Sequence, residues 1–348
     1  MKVMRKYVLI LALAVPLSAA AQYTIIDLGT LGGDWSGTGG INASGHVVGY
    51  SHIPPSISRA FLWRNGGMFD LGVLPGYDRG DASAVNDSVW VVGVSIRGYE
   101  PEERRATLWR GGTITDLGTL GGSYSTASGV NNSGQVVGSA EPNAGGGHAY
   151  LWENGFMTDL GTLPGELFSG AADINEQAQV VGYSYRTDFR AVLWENGAIT
   201  DLGTLGGEDS SAYAINDSAQ AVGSSELSPG GSEHAFLWES GVMTDLGTLL
   251  GNESSAFDIN AAGDVVGWSG RRAFLWRNGA MTDLNDLLPT GSGWELRYAN
   301  GINDAGQIVG QGIINGRYHA YRMTPVPEPG TFAALSVALL VLLRRRRR

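Results

Sequence analysis

Residues 212–247 read AYAINDSAQAVGSSELSPGGSEHAFLWESGVMTDLG, and this stretch decides the fold because the chain repeats it. Seven copies of about 43 residues each run between Ile41 and Tyr321. Each copy gives Ile-Asn, a short turn, Val-Val-Gly, a variable loop, Ala-Phe-Leu-Trp, Asn-Gly and Asp-Leu-Gly, with substitutions. Repetition at this period is typical of solenoids, arrays and propellers.

Every copy contains four runs of strand character separated by turn residues. The Asn-Gly pair, as at Asn65-Gly66, is a strong indication of a two-residue hairpin turn between the third and fourth runs. The chain has 53 glycines and shows no long helical period. Many short strands joined by tight turns therefore predict an all-β fold.

The two ends of the repeat region indicate how the copies are arranged. The seventh copy stops after its third strand at Tyr321, and residues 23–29 supply an isolated fourth strand near the start of the chain. Pairing of that strand with the seventh copy closes a ring and leaves no strand edge exposed. We therefore predict a seven-bladed β-propeller over residues 22–324, closed by the N-terminal strand in the last blade. The alternative is an open solenoid.

Residues 1–21 have the layout of a cleaved secretory signal peptide. Lys2, Arg5 and Lys6 precede an apolar run over residues 7–17, and three alanines end the segment. The alternative is an N-terminal membrane anchor, although this apolar run is short for a bilayer crossing. Export is the expected outcome.

The C-terminal segment, residues 325–348, combines Pro327, Glu328 and Pro329 with an apolar stretch and five terminal arginines. It resembles the PEP-CTERM sorting signal of Gram-negative bacteria. The resemblance implies a short transmembrane helix, transient anchoring in the inner membrane, cleavage by an exosortase, and release to the cell surface or extracellular matrix. Exosortase and signal peptidase are then partners during export, and the membrane is contacted only through this tail.

The repeat itself, with His234-Ala235-Phe236 as one example, resembles the HAF-type extracellular repeat family over nearly the whole chain after residue 22. That resemblance implies an extracellular location and no settled activity.

Charge and composition exclude several function classes. Removing the three cations of residues 1–21 and the five terminal arginines from a net charge of −11 leaves −19 for residues 22–343. Because that region also lacks lysine, we expect no nucleic-acid partner. The chain has no cysteine, which excludes disulfides and thiol catalysis. We found no metal, phosphate or nucleophile motif, and we expect no cofactor and a monomer.

Residues that recur in every copy are interpreted as structural. Six repeated tryptophans, such as Trp63, are expected to pack between blades. A cation or histidine precedes each repeated alanine, and the hairpin register places it diagonally from an aspartate on the fourth strand. A catalytic or metal-binding ring is the alternative to within-blade ion pairs. The predicted pairs are Arg59 with Asp70, Arg105 with Asp116, His148 with Asp159, Arg190 with Asp201, His234 with Asp245, Arg272 with Asp283, and His319 with Asp27.

A binding face is predicted from loop variability. The loop between the second and third strands ranges from five residues (268–272) to twelve (94–105), whereas the turns between strands 1 and 2 and between strands 3 and 4 barely change. We call the edge that carries the variable loops and the blade-to-blade connections the loop rim, and the opposite edge the turn rim. Variable loops on a rigid scaffold commonly carry binding sites.

Aromatic residues outside the repeat pattern collect on the loop rim and suit sugar rings or a partner protein. The candidates are Trp35, Tyr50, Tyr99, Tyr183, Tyr185, Trp268, Trp294 and Tyr318. We expect a non-catalytic binder of exopolysaccharide or of another surface protein. The alternatives are isolated surface aromatics without function, a purely structural matrix component, and an extracellular carbohydrate-active enzyme that uses paired carboxylates. The candidate acids for that enzyme are Glu100, Asp188, Glu226, Glu233 and Glu295.

Overall fold

The computed structural model describes residues 22–98, 102–143 and 145–327. The predicted signal peptide, Tyr99, Glu100, and the sorting segment from Glu328 onward, with Pro329, lie outside the described residues. Pro327 is the last residue described. Within this part of the chain, no helix has the length and apolarity that a bilayer crossing requires.

The strands form seven four-stranded antiparallel sheets, one for each copy of the repeat. Blade 1 contains β2 (Ser36–Ile41), β3 (Val47–Ile53), β4 (Ile57–Arg64) and β5 (Gly67–Asp70); blade 2 contains β6 (Arg79–Val85), β7 (Val91–Arg97), β8 (Glu103–Arg110) and β9 (Thr113–Asp116). Blade 3 contains β10 (Gly121–Val130), β11 (Val136–Pro142), β12 (His148–Glu153) and β13 (Phe156–Gly161); blade 4 contains β14 (Phe168–Ile174), β15 (Val180–Tyr185), β16 (Phe189–Glu195) and β17 (Ala198–Gly203).

The remaining blades follow the same order. Blade 5 contains β18 (Ser210–Ile215), β19 (Ala221–Glu226), β20 (Glu233–Glu239) and β21 (Val242–Asp245); blade 6 contains β22 (Ser254–Ile259), β23 (Val265–Ser269), β24 (Arg272–Arg277) and β25 (Ala280–Asp283), followed by a 3-10 turn at Leu284–Leu287. Blade 7 contains β26 (Glu295–Ile302), β27 (Ile308–Ile314), β28 (Arg317–Pro325) and, from the start of the described chain, β1 (Tyr23–Asp27).

The ring closes as the sequence predicts. Strand β1 pairs antiparallel with β28, from Tyr23 opposite Pro325 to Asp27 opposite Tyr321. Tyr23 and Leu28 are buried by this pairing, with 2% and 4% of their surfaces exposed. The closed sheet confirms the seven-bladed propeller and its closure by the N-terminal strand, and it excludes the open solenoid.

The hairpin register between the third and fourth strands is also confirmed. Trp63 lies opposite Met68 and Phe61 opposite Asp70, and Asn65 and Gly66 both have positive φ, as a two-residue turn of this kind requires. The repeated tryptophans belong to the apolar clusters between neighbouring blades. The structural interpretation of these residues therefore holds.

The predicted side-chain pairs between the third and fourth strands form in five blades, as ion pairs of arginine or as hydrogen bonds of histidine. Nitrogen to oxygen distances are 2.8–3.3 Å for His148, Arg190, His234, Arg272 and His319. The predicted pairs of Arg59 with Asp70 and of Arg105 with Asp116 do not form in the described structure, and Arg105 lies instead 3.9 Å from Glu103. The aspartates have a second role that the sequence analysis missed, because each accepts the backbone N–H two residues later at 2.7–2.8 Å.

The asparagine of every Ile-Asn pair forms part of a ring around the propeller axis. Each Nδ2 donates to the backbone carbonyl of the corresponding asparagine in the next blade at 2.9–3.3 Å. Asn303 donates to Asn42 and thereby completes the circle across the chain ends. Seven buried amides thus connect seven blades: Asn42, Asn86, Asn131, Asn175, Asn216, Asn260 and Asn303.

Side chains on the turn rim extend this ring outward. In blades 3, 4 and 5, the asparagine donates to a glutamine four residues later, and that glutamine donates to a glutamate just after the repeated tryptophan. Arg277 with Asp264 occupies the corresponding place in blade 6. These bonds connect the first turn of each of these blades to the end of its third strand.

Buried serines bind neighbouring blades on the loop rim. Ser125 accepts a hydrogen bond from the backbone N–H of Ala106 at 3.0 Å and donates to the carbonyl of Gly118 at 2.6 Å, both in the preceding blade. The same bridge recurs at Ser36, Ser169, Ser210 and Ser254. The blade-to-blade connection also bonds to the end of the second strand, as between Gly33 and His52. The loops and the connections therefore share one edge, as predicted.

Candidate functional site

The predicted loop-rim aromatics fall into three separate groups. Tyr183 and Tyr185 lie in blade 4, where strand β15 ends. Trp35, Tyr50 and Tyr318 meet where blade 1 adjoins blade 7. The third group, at blades 6 and 7, contains Trp268 and Trp294, while Tyr99 lies outside the described residues. The structure therefore does not bring all eight candidates to one place.

The blade 4 group is the largest aromatic stack on the loop rim of the described chain. Tyr185 lies between Phe168 and Phe189, with ring centroids 4.9 and 4.4 Å apart and interplanar angles of 21° and 17°. Tyr183 contacts Phe189 edge-on at 5.5 Å. We call these four residues the blade 4 surface.

Strand ends explain why three of these rings meet. Phe168 begins β14, Tyr185 ends β15 and Phe189 begins β16, so all three lie at the edge of the sheet where the loops emerge. Phe168 is the direct cross-strand partner of Tyr185, and Tyr185 is the partner of Phe189. Phe168 and Phe189 are not among the predicted residues, although both are aromatic residues at strand ends, a pattern visible in the sequence.

Two cavities are lined by rings of the blade 4 surface, and a third is lined by the chain neighbours of Phe189, Asp188 and Arg190. One of about 430 Å³ is lined by Tyr124, Glu141, Phe168, Tyr183 and Tyr185 with several small residues. A second, of about 310 Å³, lies towards blade 5 and is lined by Phe189, Asp209, Tyr213, Ser224 and Glu233 among others. The third, of about 470 Å³, is lined by Glu166, Asp188, Arg190, Asp201 and Glu208 with neighbouring residues. The aromatic stack is therefore flanked by recesses that contain carboxylates.

The polar groups of these cavities are held in place. The Glu141 carboxylate accepts hydrogen bonds from the Ser123 backbone and hydroxyl, both at 2.8 Å, and these bonds lower the pKa of Glu141. Asp209 accepts from the Phe189 backbone N–H at 2.6 Å. Burial raises the pKa of Tyr183. At neutral pH, the surface therefore presents the ionised Glu141 carboxylate near the neutral Tyr183 phenol.

The group at blades 1 and 7 is smaller and more open. Trp35 contacts His52 at 5.1 Å, Tyr50 at 5.9 Å and Tyr318 at 6.4 Å between ring centroids. Trp35 and Tyr318 are 38% and 41% exposed. The Tyr50 ring lies across Gly37, where an added Cβ would approach its hydroxyl to 2.6 Å. Tyr50 therefore fills the space beside Gly37, and Trp35 and Tyr318 form the accessible part of this group.

The group at blades 6 and 7 includes one ring that packs into the core. Trp294 packs against Tyr321 at 5.9 Å, and Tyr321 is fully buried in the core of blade 7. Trp268 contacts Tyr298 at 6.4 Å and is cross-strand partner to Ser255. Trp294 thus contributes to the core, and a variant at this position tests folding more directly than binding.

The candidate acids of the carbohydrate-active alternative are spread over the rim. Glu100 lies outside the described residues, Asp188 lines the third cavity, and Glu295 pairs with Arg297 at 2.9 Å. Glu226 and Glu233 are direct cross-strand partners at the loop end of blade 5. In the described chain, no three histidine, aspartate or glutamate residues are grouped to hold a metal ion.

Two aspartates in the central channel were missed by the sequence analysis. Asp173 and Asp258 precede the Ile-Asn pair in blades 4 and 6 and line a channel cavity of about 200 Å³. Each Oδ2 accepts a backbone N–H from the next blade, Ile215 at 3.0 Å and Ile302 at 2.7 Å. The corresponding residues of the other blades are glycine or alanine: Gly40, Ala84, Gly129, Ala214 and Gly301.

Burial controls the titration of both channel aspartates. It raises the pKa of Asp173 to about 6 and that of Asp258 to about 7. The negative charge of Asp173 raises the pKa of Asp258 further, while backbone N–H groups that donate to each carboxyl act in the opposite direction. Both side chains keep some accessible surface because they face the cavity. Protein nevertheless surrounds them, and the resulting loss of hydration raises the pKa of each carboxyl.

No family model matches the chain, and no curated protein matches it. TolB from Acinetobacter baumannii is a similar solved structure, with 13% identity and a TM-score of 0.45 over 82% of this chain and 64% of that chain. The β-propeller domain of the trilobed protease from Pyrococcus furiosus has 11% identity and a TM-score of 0.47 over 70% of this chain and 82% of that one.

A sialidase from Trypanosoma rangeli has 11% identity and a TM-score of 0.35 over 75% of this chain and 55% of that chain. This chain therefore spans less than two thirds of the TolB and sialidase chains. All three similarities concern the fold alone, and the closed ring of seven four-stranded blades establishes this protein as an all-β, seven-bladed propeller.

Proposed function

We propose that this protein is an exported, non-catalytic propeller of the cell surface or extracellular matrix that binds a glycan on the blade 4 surface. The observation that carries the proposal is the stack of Phe168, Tyr185 and Phe189 at the loop rim, with cavities on its flanks. Aromatic rings offer apolar faces to the C–H faces of sugar rings, and neighbouring carboxylates accept hydrogen bonds from hydroxyl groups.

Export belongs to the proposal and rests on the sequence. Residues 1–21 are suited to signal peptidase, and the segment from Val326 through Pro327, Glu328 and Pro329 to the terminal arginines is suited to an exosortase. A repeat protein delivered to the surface in this way meets the producing cell's own exopolysaccharide first. Exopolysaccharide is therefore the ligand class to test, ahead of another surface protein.

The test is a pull-down of purified protein on exopolysaccharide from the producing cell, with a Tyr185→Ala, Phe189→Ala double variant. We expect the double variant to bind at least about fivefold more weakly, because each lost ring contact contributes about 0.5–1.5 kcal/mol. The matched control is Phe69→Ala, Phe156→Ala, which removes two exposed phenylalanines, 51% and 77% accessible, from the outer hairpins of other blades.

Two results would redirect the proposal. Equal binding by both double variants would contradict a site at the blade 4 surface. Progressive shortening of the bound polymer would favour the carbohydrate-active enzyme instead, with the cross-strand partners Glu226 and Glu233 as its acids.

A further inference from the structure

The cavities around the blade 4 surface carry an uneven charge. Seven carboxylates line them, and Arg190 is the single cation among the described lining residues. Arg190 is already paired with Asp201 at 2.8 Å, and Arg186, at the tip of the adjacent loop, lines none of the three cavities. The acids are Glu141, Glu166, Asp188, Asp201, Asp209, Glu233 and Glu208.

Three of these carboxylates, Glu141, Asp209 and Glu233, share a cavity with rings of the aromatic stack. Glu141 shares a cavity with Phe168 and Tyr185, and Glu233 shares one with Phe189. A ligand that places its ring on the aromatic faces therefore brings its substituents to acidic groups on both sides. An ammonium group supplies three donors, and its hydrogen bonds to carboxylates are roughly twice as strong as neutral ones.

We infer that the ligand of the blade 4 surface is a polysaccharide with unsubstituted, protonated amino groups, an inference that rests on the proposed glycan binding. Uronic acid polymers are disfavoured because their carboxylates would face those of the cavities in a region with a net charge of −19 over residues 22–343. Fully N-acetylated polymers carry no charge and gain no such attraction.

The inference is tested with three oligosaccharides of equal length: glucosamine, N-acetylglucosamine and a uronic acid. Binding is measured by calorimetry at about pH 6 and low salt, with the full repeat region as the protein. We expect the glucosamine oligomer to bind about tenfold more tightly than its N-acetylated counterpart, which corresponds to about 1.4 kcal/mol. Added salt is expected to reduce this preference because the attraction is electrostatic.

A pair of double variants tests whether the carboxylates of these cavities cause the preference. Glu141→Gln, Glu233→Gln removes two of the three carboxylates that share a cavity with the stack, and it is expected to reduce the preference for the amino sugar by more than half. The matched control is Glu153→Gln, Glu239→Gln, which removes two charges on the turn rim, where each glutamate accepts from a glutamine that the variant can still satisfy. The control is expected to keep the preference.

Equal binding of the amino and N-acetylated oligomers, or a preference for the uronic acid, would overturn the inference and leave glycan binding in place. Oligolysine that competes as well as the amino sugar would also overturn it, since it has no ring to stack. Failure of all three oligomers and of the natural polymer to bind would remove the proposed function itself.

Discussion

The asparagine ring makes one strong prediction about stability. In blade 5, the Asn216 side chain donates to the Asn260 carbonyl at 3.0 Å and accepts from the backbone N–H groups of Ser218 and Gln220, both at 3.0 Å. Asn216→Ala removes these bonds together. Because the Asn260 carbonyl also accepts from Gly263, the groups left without these partners are the two N–H groups and Gln220 Oε1, to which Asn216 Nδ2 also donates at 2.7 Å.

The expected loss follows from those contacts. An N–H group left unpaired in a partly buried turn costs about 1 kcal/mol, the lower limit for a buried polar group, so the two cost about 2 kcal/mol. The lost hydrogen bond between blades costs about 1 kcal/mol more. We therefore expect the free energy of unfolding to fall by roughly 3 kcal/mol. With an unfolding entropy of about 2.1 cal/mol/K per residue over roughly 300 residues, Tm falls by about 5 °C.

The assay is thermal and urea unfolding followed by circular dichroism. Asn252→Ala is the matched control, because Asn252 is exposed and bonds only to the Ser232 hydroxyl among the described contacts; we expect a change below about 0.5 kcal/mol. If Asn216→Ala and Asn252→Ala destabilise the protein equally, the ring does not stabilise the contacts between blades and this reasoning is wrong.

Two further predictions concern closure and pH. Removal of residues 22–28 exposes the edge of β28 and the apolar surface that Tyr23 and Leu28 cover, so we expect the free energy of unfolding to fall by at least about 4 kcal/mol. A synthetic peptide of that sequence should restore Tm, and a scrambled peptide should not. Unchanged unfolding after the removal would argue against closure. The raised pKa of Asp258 means that the folded state binds its proton more tightly than the unfolded chain. Its contribution to stability is therefore fully present below the unfolded pKa of 3.8 and is lost as pH rises through about 7. We expect Asp258 to contribute a fall in stability of about 2–3 kcal/mol between about pH 5 and pH 8, and Asp173 a smaller fall of the same sign. Asp258→Asn, but not the exposed Glu208→Gln, is expected to remove the larger part of the slope; an unchanged slope in Asp258→Asn would show that another group is responsible.

The repeat made the fold readable from the sequence. Asn65-Gly66 predicts its hairpin because only a few residues tolerate the positive φ of both turn positions, and the register that follows places Trp63 opposite Met68. The isolated strand at Tyr23 predicts closure because a strand edge without a partner is unfavourable. These inferences depend on local backbone preferences and on counting strands, and both are visible in a linear chain.

The interactions between blades were decided by the tertiary structure. Asn216 and Asn260 are 44 residues apart, and nothing in the Ile-Asn pair distinguishes an amide that ends a strand from one that bonds to the next blade. Arg59 and Arg105 likewise share the repeat position of Arg190, yet they do not form its ion pair, because surface charges take the partners that their surroundings offer.

The candidate site was also predicted in part from the sequence and decided in part by the tertiary structure. Sequence reasoning found the loop rim and named Tyr183 and Tyr185, because loop length and departures from the repeat are visible in the chain. Only the fold showed that Phe168 and Phe189 complete the stack and that Trp294 packs into the core. The physical reason is that a repeat specifies each blade by short-range preferences, whereas side-chain neighbours on the rim depend on how the ring brings separate strand ends together.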